Sequence, residues 1–296
     1  VRAAHQIVED GIAKPVLLGD PNTIREKAEH LHVALDDIEI VDPATAAGRD
    51  EYAKRLFDQR ARKGMTLGGA RQLLRNAGYY GAAMVNAGDA DGLILSAGLD
   101  YREAMRPALR VIGRASGVST AAGVYLVTLK NRPIFFADAT VNIEMDAERM
   151  AEIALLTADL ARKFDITPRV AMLSFSNFGS ARHPRSDMVR EAVAIARRRD
   201  PRLVVDGEMQ ADVALSADLL KGDYAFSVLG NVLIFPSIEA GHIGYRLAQE
   251  LAQADIVGPM FVGLRRPVHI VNRGDHVRDI VNLAAYAVVE AQSTAA

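Results

Sequence analysis

The chain has 296 residues, half of them hydrophobic and 24% charged, which is the composition of a globular protein with room for one or two domains and a substantial core. Its 35 basic and 37 acidic side chains leave a formal charge of -2, a balance that gives no ground for a nucleic-acid or membrane-surface partner. No cysteine is present, which removes disulfides, thiolate catalysis and most structural zinc sites and fits a reducing cytoplasm; no apolar run reaches the roughly 18 residues of a membrane span, and no signal sequence is visible.

The opening stretch, "VRAAHQIVEDG", reads as the middle of a helix closed by Gly11. Because Val1 is not a methionine, the expectation is an end piece of a longer polypeptide or a trimmed chain. Short β-branched runs then alternate with amphipathic stretches. "KPVLLGD", "IEIVD" and "DGLILSA" are strand candidates, and residues 51–62 carry a helical pattern. "GVYLVTLKNRPIFFADAT" interrupts the alternation, and its two apolar runs around Lys130-Asn131-Arg132 predict a β-hairpin. A domain boundary is placed just before it, near Ser116-Gly117. Further on, "RVAMLSFS", "RLVVDGE", "NVLIFPS" and "PVHIV" are strands, and residues 187–199 form a helix whose basic end, Arg197 to Arg199, reads as solvated. The pattern predicts α/β architecture with largely parallel sheets.

Ligands in such sheets sit beyond the carboxyl ends of the strands, so the residues after the strands carry the functional signal. In "SFSNFGSARHPRSD", the serines and Gly179 leave room for a phosphate or carbonyl to approach the backbone, before a helix capped by Ser186. Arg182, His183 and Arg185 add positive charge there. Asp206-Gly207-Glu208 could hold a metal or form an acid pair, but no companion carboxylate or histidine stands at ligand spacing, so a structural turn is expected and no metal site is assigned. "NRGD" after the last strand crowds a cation, a glycine and an acid at a helix start, which suggests an anion site. Dinucleotide, Walker, nucleophile-elbow and zinc-protease motifs are all missing from this piece.

In order, "RARKGMT", "MRPALRVIG", "SFSNFGSA", "DGEMQAD", "NVLIFPSIEAGHIGYRLAQ", "GPMFVGLRRPV" and "NRGDHVRDIVN" resemble the phosphotransacetylase (phosphate acetyltransferase) family nearly end to end. The resemblance implies two α/β domains, residues 1–116 plus 263–296 and residues 117–262, with an active cleft between them. It also implies a homodimer or higher homo-oligomer, built on the second domain around Ile238 to Ala252. Arg60 and Arg106 correspond to arginines that hold coenzyme A phosphates, a task suited to the fixed guanidinium fork. Ser176, Asn177, Gly179, Ser180 and Asn272 fall on family ligand positions. Arg273 corresponds to the arginine that grips acetyl phosphate, and Asp279 to the carboxylate that takes the thiol proton of coenzyme A.

Several positions depart from that family. A serine credited with stabilising the transition state is Asn272 here, and the loop threonine and lysine are Asn177 and Phe178. The run before "RPAL" is "LDYREA" instead of a polar family sequence. Loss of a cation from a phosphate site removes a contact worth about 1.5–3 kcal/mol. These departures, with the ending "VNLAAYAVVEAQ", resemble the carboxyl-terminal domain of large bacterial NADP-dependent malic enzymes. That resemblance implies a regulatory domain that binds acetyl-CoA, dimerises, and follows malic enzyme domains holding NADP and a divalent metal. The alternative is a working phosphate acetyltransferase.

Overall fold

A computed structural model describes residues 1–97, 101–216, 218–219, 229–272 and 274–295. The first elements are α1 (Arg2–Glu9), β1 (Val16–Leu18), α2 (Pro21–Leu31), β2 (Glu39–Val41), α3 (Arg49–Arg60), α4 (Leu67–Leu73), α5 (Ala77–Ala87), β3 (Leu93–Ala97) and α6 (Tyr101–Pro107). A π-helical turn, Ala108–Ile112, follows α6. Then come β4 (Ala122–Leu129), β5 (Arg132–Ala137), α7 (Ala147–Lys163), β6 (Arg169–Leu173), α8 (Pro184–Arg199), β7 (Val204–Met209), α9 (Ala211–Leu215) and β8 (Val232–Ile234). The chain closes with α10 (Ile238–Ala252), β9 (Asp255–Val262), β10 (Val268–Asn272) and α11 (Val277–Ala295).

Two compact units divide the chain: Val1–Ala115 with Leu264–Ala296, and Ser116–Gly263. In the first, β1 pairs in parallel with β2, and β10 pairs in parallel with β3. Three of its helices, α2, α4 and α5, start on side-chain caps that satisfy otherwise unpaired N–H groups. Asp20 accepts from Asn22 N–H at 3.0 Å ahead of α2, and Asn76 accepts from Gly78 N–H at 3.0 Å ahead of α5. A buried cluster of Leu56, Leu74, Val85, Val111, Ile112 and Val268 then joins α3, α4, α5, the π turn and β10.

In the second unit the strands run in the order β7-β6-β8-β5-β4-β9. The hairpin β4–β5 is antiparallel, with Leu129 opposite Arg132. Its two turn residues, Lys130 and Asn131, take φ of 49° and 64°, the left-handed pair that lets a two-residue turn follow the twist of the strands. Beyond β5 the pairing is parallel, β5 with β8, β8 with β6 and β6 with β7. β9 joins antiparallel at the edge, where Pro259 lacks only a hydrogen-bond donor that an edge strand can forgo. Met150, Ile153, Leu160, Met172 and Ile234 are buried to below 2% exposure. Each such side chain stabilises the fold by about 1.5–3 kcal/mol relative to leaving it in water.

The basic end of α8 is not simply solvated. Arg197 donates to Val205 O at 2.9 Å and to Asp206 at 2.8 Å, and Arg199 pairs with Glu148 of α7. Cations at a helix carboxyl end complement its dipole, and here they also fasten α8 to β7 and α7.

Candidate functional site

In the loop leaving β6, every main-chain donor from Ser176 to Ala181 is engaged, by the loop's own oxygens or by Glu208 of β7. Ser176 N–H donates to Ser174 Oγ at 3.3 Å, and Asn177 N–H to Ser180 Oγ at 2.9 Å. Phe178 N–H donates to Glu208 O at 2.9 Å, and Gly179 N–H to the Glu208 carboxylate at 2.8 Å. Ser180 N–H reaches Asn177 O at 3.0 Å, and Ala181 N–H reaches Ser176 Oγ at 3.0 Å. Phe178 and Gly179 have φ of 47° and 86°, an uncommon setting for a phenylalanine, which these bonds hold in place.

Glu208, at the carboxyl end of β7, anchors the arrangement. Its side chain is fully buried, and its Oε1 receives Ser176 Oγ at 2.8 Å, Gly179 N–H and Arg190 Nη1 at 3.0 Å. Arg190 also pairs with Asp187 in the first turn of α8. Burial pushes the Glu208 carboxyl up, but the bonds from Gly179 and Ser176 and the Arg190 charge outweigh it, so its pKa lies below the usual value and the group is ionised at neutral pH. Gly207 makes the approach of β7 to β6 possible: a Cβ there would lie 2.6 Å from Met172 O, and its φ is +142°.

Asn177 and Phe178 occupy structural places. The Asn177 amide closes a ring with Gln210, accepting from its N–H at 2.7 Å and donating to its Oε1 at 3.1 Å. Gln210 Nε2 in turn donates to Phe175 O at 2.7 Å. Phe178 packs against the buried cluster that includes Tyr125, Leu173 and Met209. The main-chain donors that the sequence leaves open to a phosphate are engaged in this structure, Gly179 N–H by the Glu208 carboxylate and the others by oxygens of the loop and of the Glu208 main chain. The helix start is corrected. His183 is the cap of α8, its Nδ1 accepting from Arg185 N–H at 3.2 Å, and Ser186 closes the box from the third position.

In the first unit, Arg60 ends α3 and grips main-chain carbonyls, donating to Arg110 O at 2.8 Å and Leu109 O at 3.0 Å. Those carbonyls belong to the π turn that follows Arg106, so Arg60 braces the segment bearing the second predicted arginine. Arg106 pairs with Glu103 at 2.9 Å, both about half exposed, and remains accessible to an anion. Asp279 lies in the first turn of α11, its Oδ2 accepting from His276 N–H at 2.9 Å. Asn272 ends β10 opposite Ala97 of β3, but its side chain, all of Arg273, and residues 98–100 of the segment before "RPAL" lie outside the described residues.

Asp206 and Glu208 do not act as a pair. Asp206 binds Arg197, while Glu208 faces the loop. Among the described residues no group of three or more histidine, cysteine, aspartate or glutamate side chains could hold a metal ion, and no helix is long and apolar enough to cross a membrane. Sequence reasoning passed over Arg190 and Gln210. The only signal for them is the spacing of Arg190 three residues after Asp187 and of Gln210 two after Glu208, which does not reveal partners 18 and 33 residues away.

The sequence matches the family described as Phosphate acetyl/butaryl transferase over residues 1–288. It is 36% identical over 301 residues to a phosphate acetyltransferase of Clostridium acetobutylicum, spanning 98% of this chain and 90% of that one. It is 38% identical over 301 residues to an NADP-dependent malic enzyme of Escherichia coli, spanning 99% of this chain and 40% of that one. A phosphotransacetylase structure from Streptococcus pyogenes superposes with a TM-score of 0.92 at 36% identity, covering 99% of this chain and 90% of that one.

Proposed function

The chain belongs to the phosphate acetyl/butaryl transferase family, and on that premise we propose that it is a cytoplasmic, dimeric acetyl-CoA-binding module of the malic-enzyme type, which senses its ligand without turning it over. The observation that carries this reading is the closed loop. Its N–H groups, the Asn177 amide and the Ser176 hydroxyl are engaged within the protein, and Phe178 is packed where the resembled acetyltransferases have a lysine. A phosphate arriving between Ser176 and Ala181 finds neither a cation nor an open main-chain donor. Arg60 and Arg106 are the arginines assigned to the coenzyme phosphates, Arg60 also holding the turn beside Arg106, and Arg273 is the one assigned to acetyl phosphate. The parent polypeptide, in this reading, oxidises and decarboxylates malate with NADP and a divalent metal held in malic enzyme domains ahead of Val1.

A second reading has its own support. The match over nine-tenths of a stand-alone phosphate acetyltransferase favours an active enzyme more than the match over 40% of a malic enzyme favours a regulatory domain. Arg273 and Asp279 are also retained. In that case Asp279 accepts the thiol proton of coenzyme A, whose pKa of about 8.5 leaves it mostly protonated at neutrality. The thiolate then attacks the acetyl carbon of acetyl phosphate, and phosphate departs.

One pair of measurements separates the readings. Calorimetry is expected to show acetyl-CoA binding that weakens as salt is raised. A coupled assay is expected to detect no acetyl-CoA formation from acetyl phosphate. Turnover in the usual enzymatic range, about 1–1000 per second, establishes the second reading, and absence of binding at millimolar acetyl-CoA removes the first.

A further inference from the structure

Hydrogen-bond direction decides what the 174–181 loop can offer a ligand. Ser176 Oγ carries one hydrogen and has three oxygens within reach: Glu208 Oε1 at 2.8 Å, Ser180 Oγ at 3.2 Å and Ala181 O at 3.5 Å. The carboxylate is the nearest and the charged acceptor, so the hydrogen goes to Glu208. Ser176 Oγ then accepts from Ala181 N–H at 3.0 Å, and in its contact with Ser180 the donor is Ser180. Ser180 Oγ also accepts from Asn177 N–H at 2.9 Å. A hydroxyl has one hydrogen and two lone pairs, so Ser180 is left with a single free lone pair and no free hydrogen. Ser176 and Glu208 are buried, whereas Ser180 is exposed. Acceptor character thus passes from the interior to the surface through two hydroxyls.

We propose that Ser180 is an acceptor-only ligand contact, with Glu208 and Ser176 as positioning residues behind it, and that it receives a donor of the pantetheine arm of an acyl-CoA, an amide N–H or a hydroxyl, and not a phosphate. This rests on the acyl-CoA reading and deepens it. The phosphates of coenzyme A present anionic oxygens that a lone pair repels; the nucleotide offers donors only on its adenine amine and ribose hydroxyl, whereas the pantetheine arm presents N–H and O–H groups on an apolar chain. Phe175, 54% exposed on the same loop, supplies apolar surface for such a chain. The lowered Glu208 pKa keeps the carboxylate an acceptor at neutral pH; a protonated Glu208 could donate and so reverse the order.

The test is calorimetry on the full chain, with coenzyme A and adenosine 3′,5′-bisphosphate titrated separately into wild type, Ser180→Ala and Ser180→Thr. Ser180→Ala is expected to weaken coenzyme A roughly two- to tenfold, the measure of one neutral hydrogen bond, while leaving the bisphosphate unchanged. Ser180→Thr keeps the hydroxyl and is expected to restore wild-type affinity. A loss shared equally by both ligands, which any general distortion of the loop produces, overturns the proposal, as does a Ser180→Ala variant that binds coenzyme A like wild type. A wild-type chain that binds no coenzyme A overturns the acyl-CoA reading itself and this proposal with it.

Discussion

Ser176 and Glu208 stand 32 residues apart in sequence, yet Ser176 Oγ donates to Glu208 Oε1 at 2.8 Å with both side chains at 0% exposure. The bond ties the loop after β6 to the end of the neighbouring strand β7. Removing the carboxylate strands the donors it collects. Glu208→Ala is therefore expected to lower the unfolding free energy by at least about 1–3 kcal/mol, the cost of one buried donor left without a partner. Urea unfolding measures it, and a variant as stable as wild type contradicts the bracing role.

The same group sets a pH dependence. Its folded pKa is lowered, so its stabilisation is fully present above the unfolded carboxyl value of about 4.3 and is lost as pH falls through the folded value. The urea midpoint of Glu208→Gln is expected to be lower than wild type at neutral pH, and the gap is expected to narrow on acidification below about pH 5. A gap that stays constant or widens as pH falls shows that the Glu208 charge does not matter.

Arg60 and Arg106 should separate in their effects. Arg60→Ala deprives the Leu109 and Arg110 carbonyls of a cationic donor and is expected to cost about 1.5–3 kcal/mol of stability. Arg106→Ala breaks an exposed pair with Glu103, worth about 0–1 kcal/mol, and leaves stability nearly unchanged. It is nevertheless expected to weaken acetyl-CoA roughly tenfold. Thermal unfolding and calorimetry on both variants check this, and equal effects on both properties contradict the division of roles.

Asn272→Ser alone is not expected to produce acetyltransferase activity, because Asn177 and Phe178 remain committed to Gln210 and the core. The coupled assay checks it. Turnover in the single variant places the whole deficit at Asn272.

Ile243, Leu247 and Leu251 repeat every fourth residue along α10 and are 57%, 52% and 79% exposed. That spacing puts them on one helix face, the face proposed for dimerisation. Light scattering at micromolar concentration is expected to give about twice 32.0 kDa, and Leu247→Glu with Leu251→Glu is expected to shift it to the monomer. A wild-type monomer contradicts this surface.

Most of the candidate site was legible as a set of positions and not as a set of interactions. The glycine and serines of the loop mark a tight turn after a strand, and "RPAL" and "NRGD" mark helix ends near other strands. None of these patterns says which donors are already engaged. Asn177 reads as a ligand residue until Gln210 is found against it, and Phe178 reads as a missing cation until it is seen packed against the core.

The sequence by itself determined the α/β class, the strand positions after each amphipathic helix, the Lys130-Asn131 hairpin and the family. Each rests on periodicity, on φ preferences of neighbouring residues or on ordered motifs, all carried by short stretches of chain. Strand β9 escaped because Pro259 reads locally as a breaker, and only its edge position makes it tolerable. The tertiary structure alone decided that Glu208 faces Ser176 and not Asp206, that Arg60 grips carbonyls, and that the Ser180 hydroxyl lies within reach of Ser176. The outcomes at Glu208 and Ser180 depend on which parallel strand lies beside which, and β6 and β7 bring together residues some thirty positions apart whose side chains carry no local sign of one another.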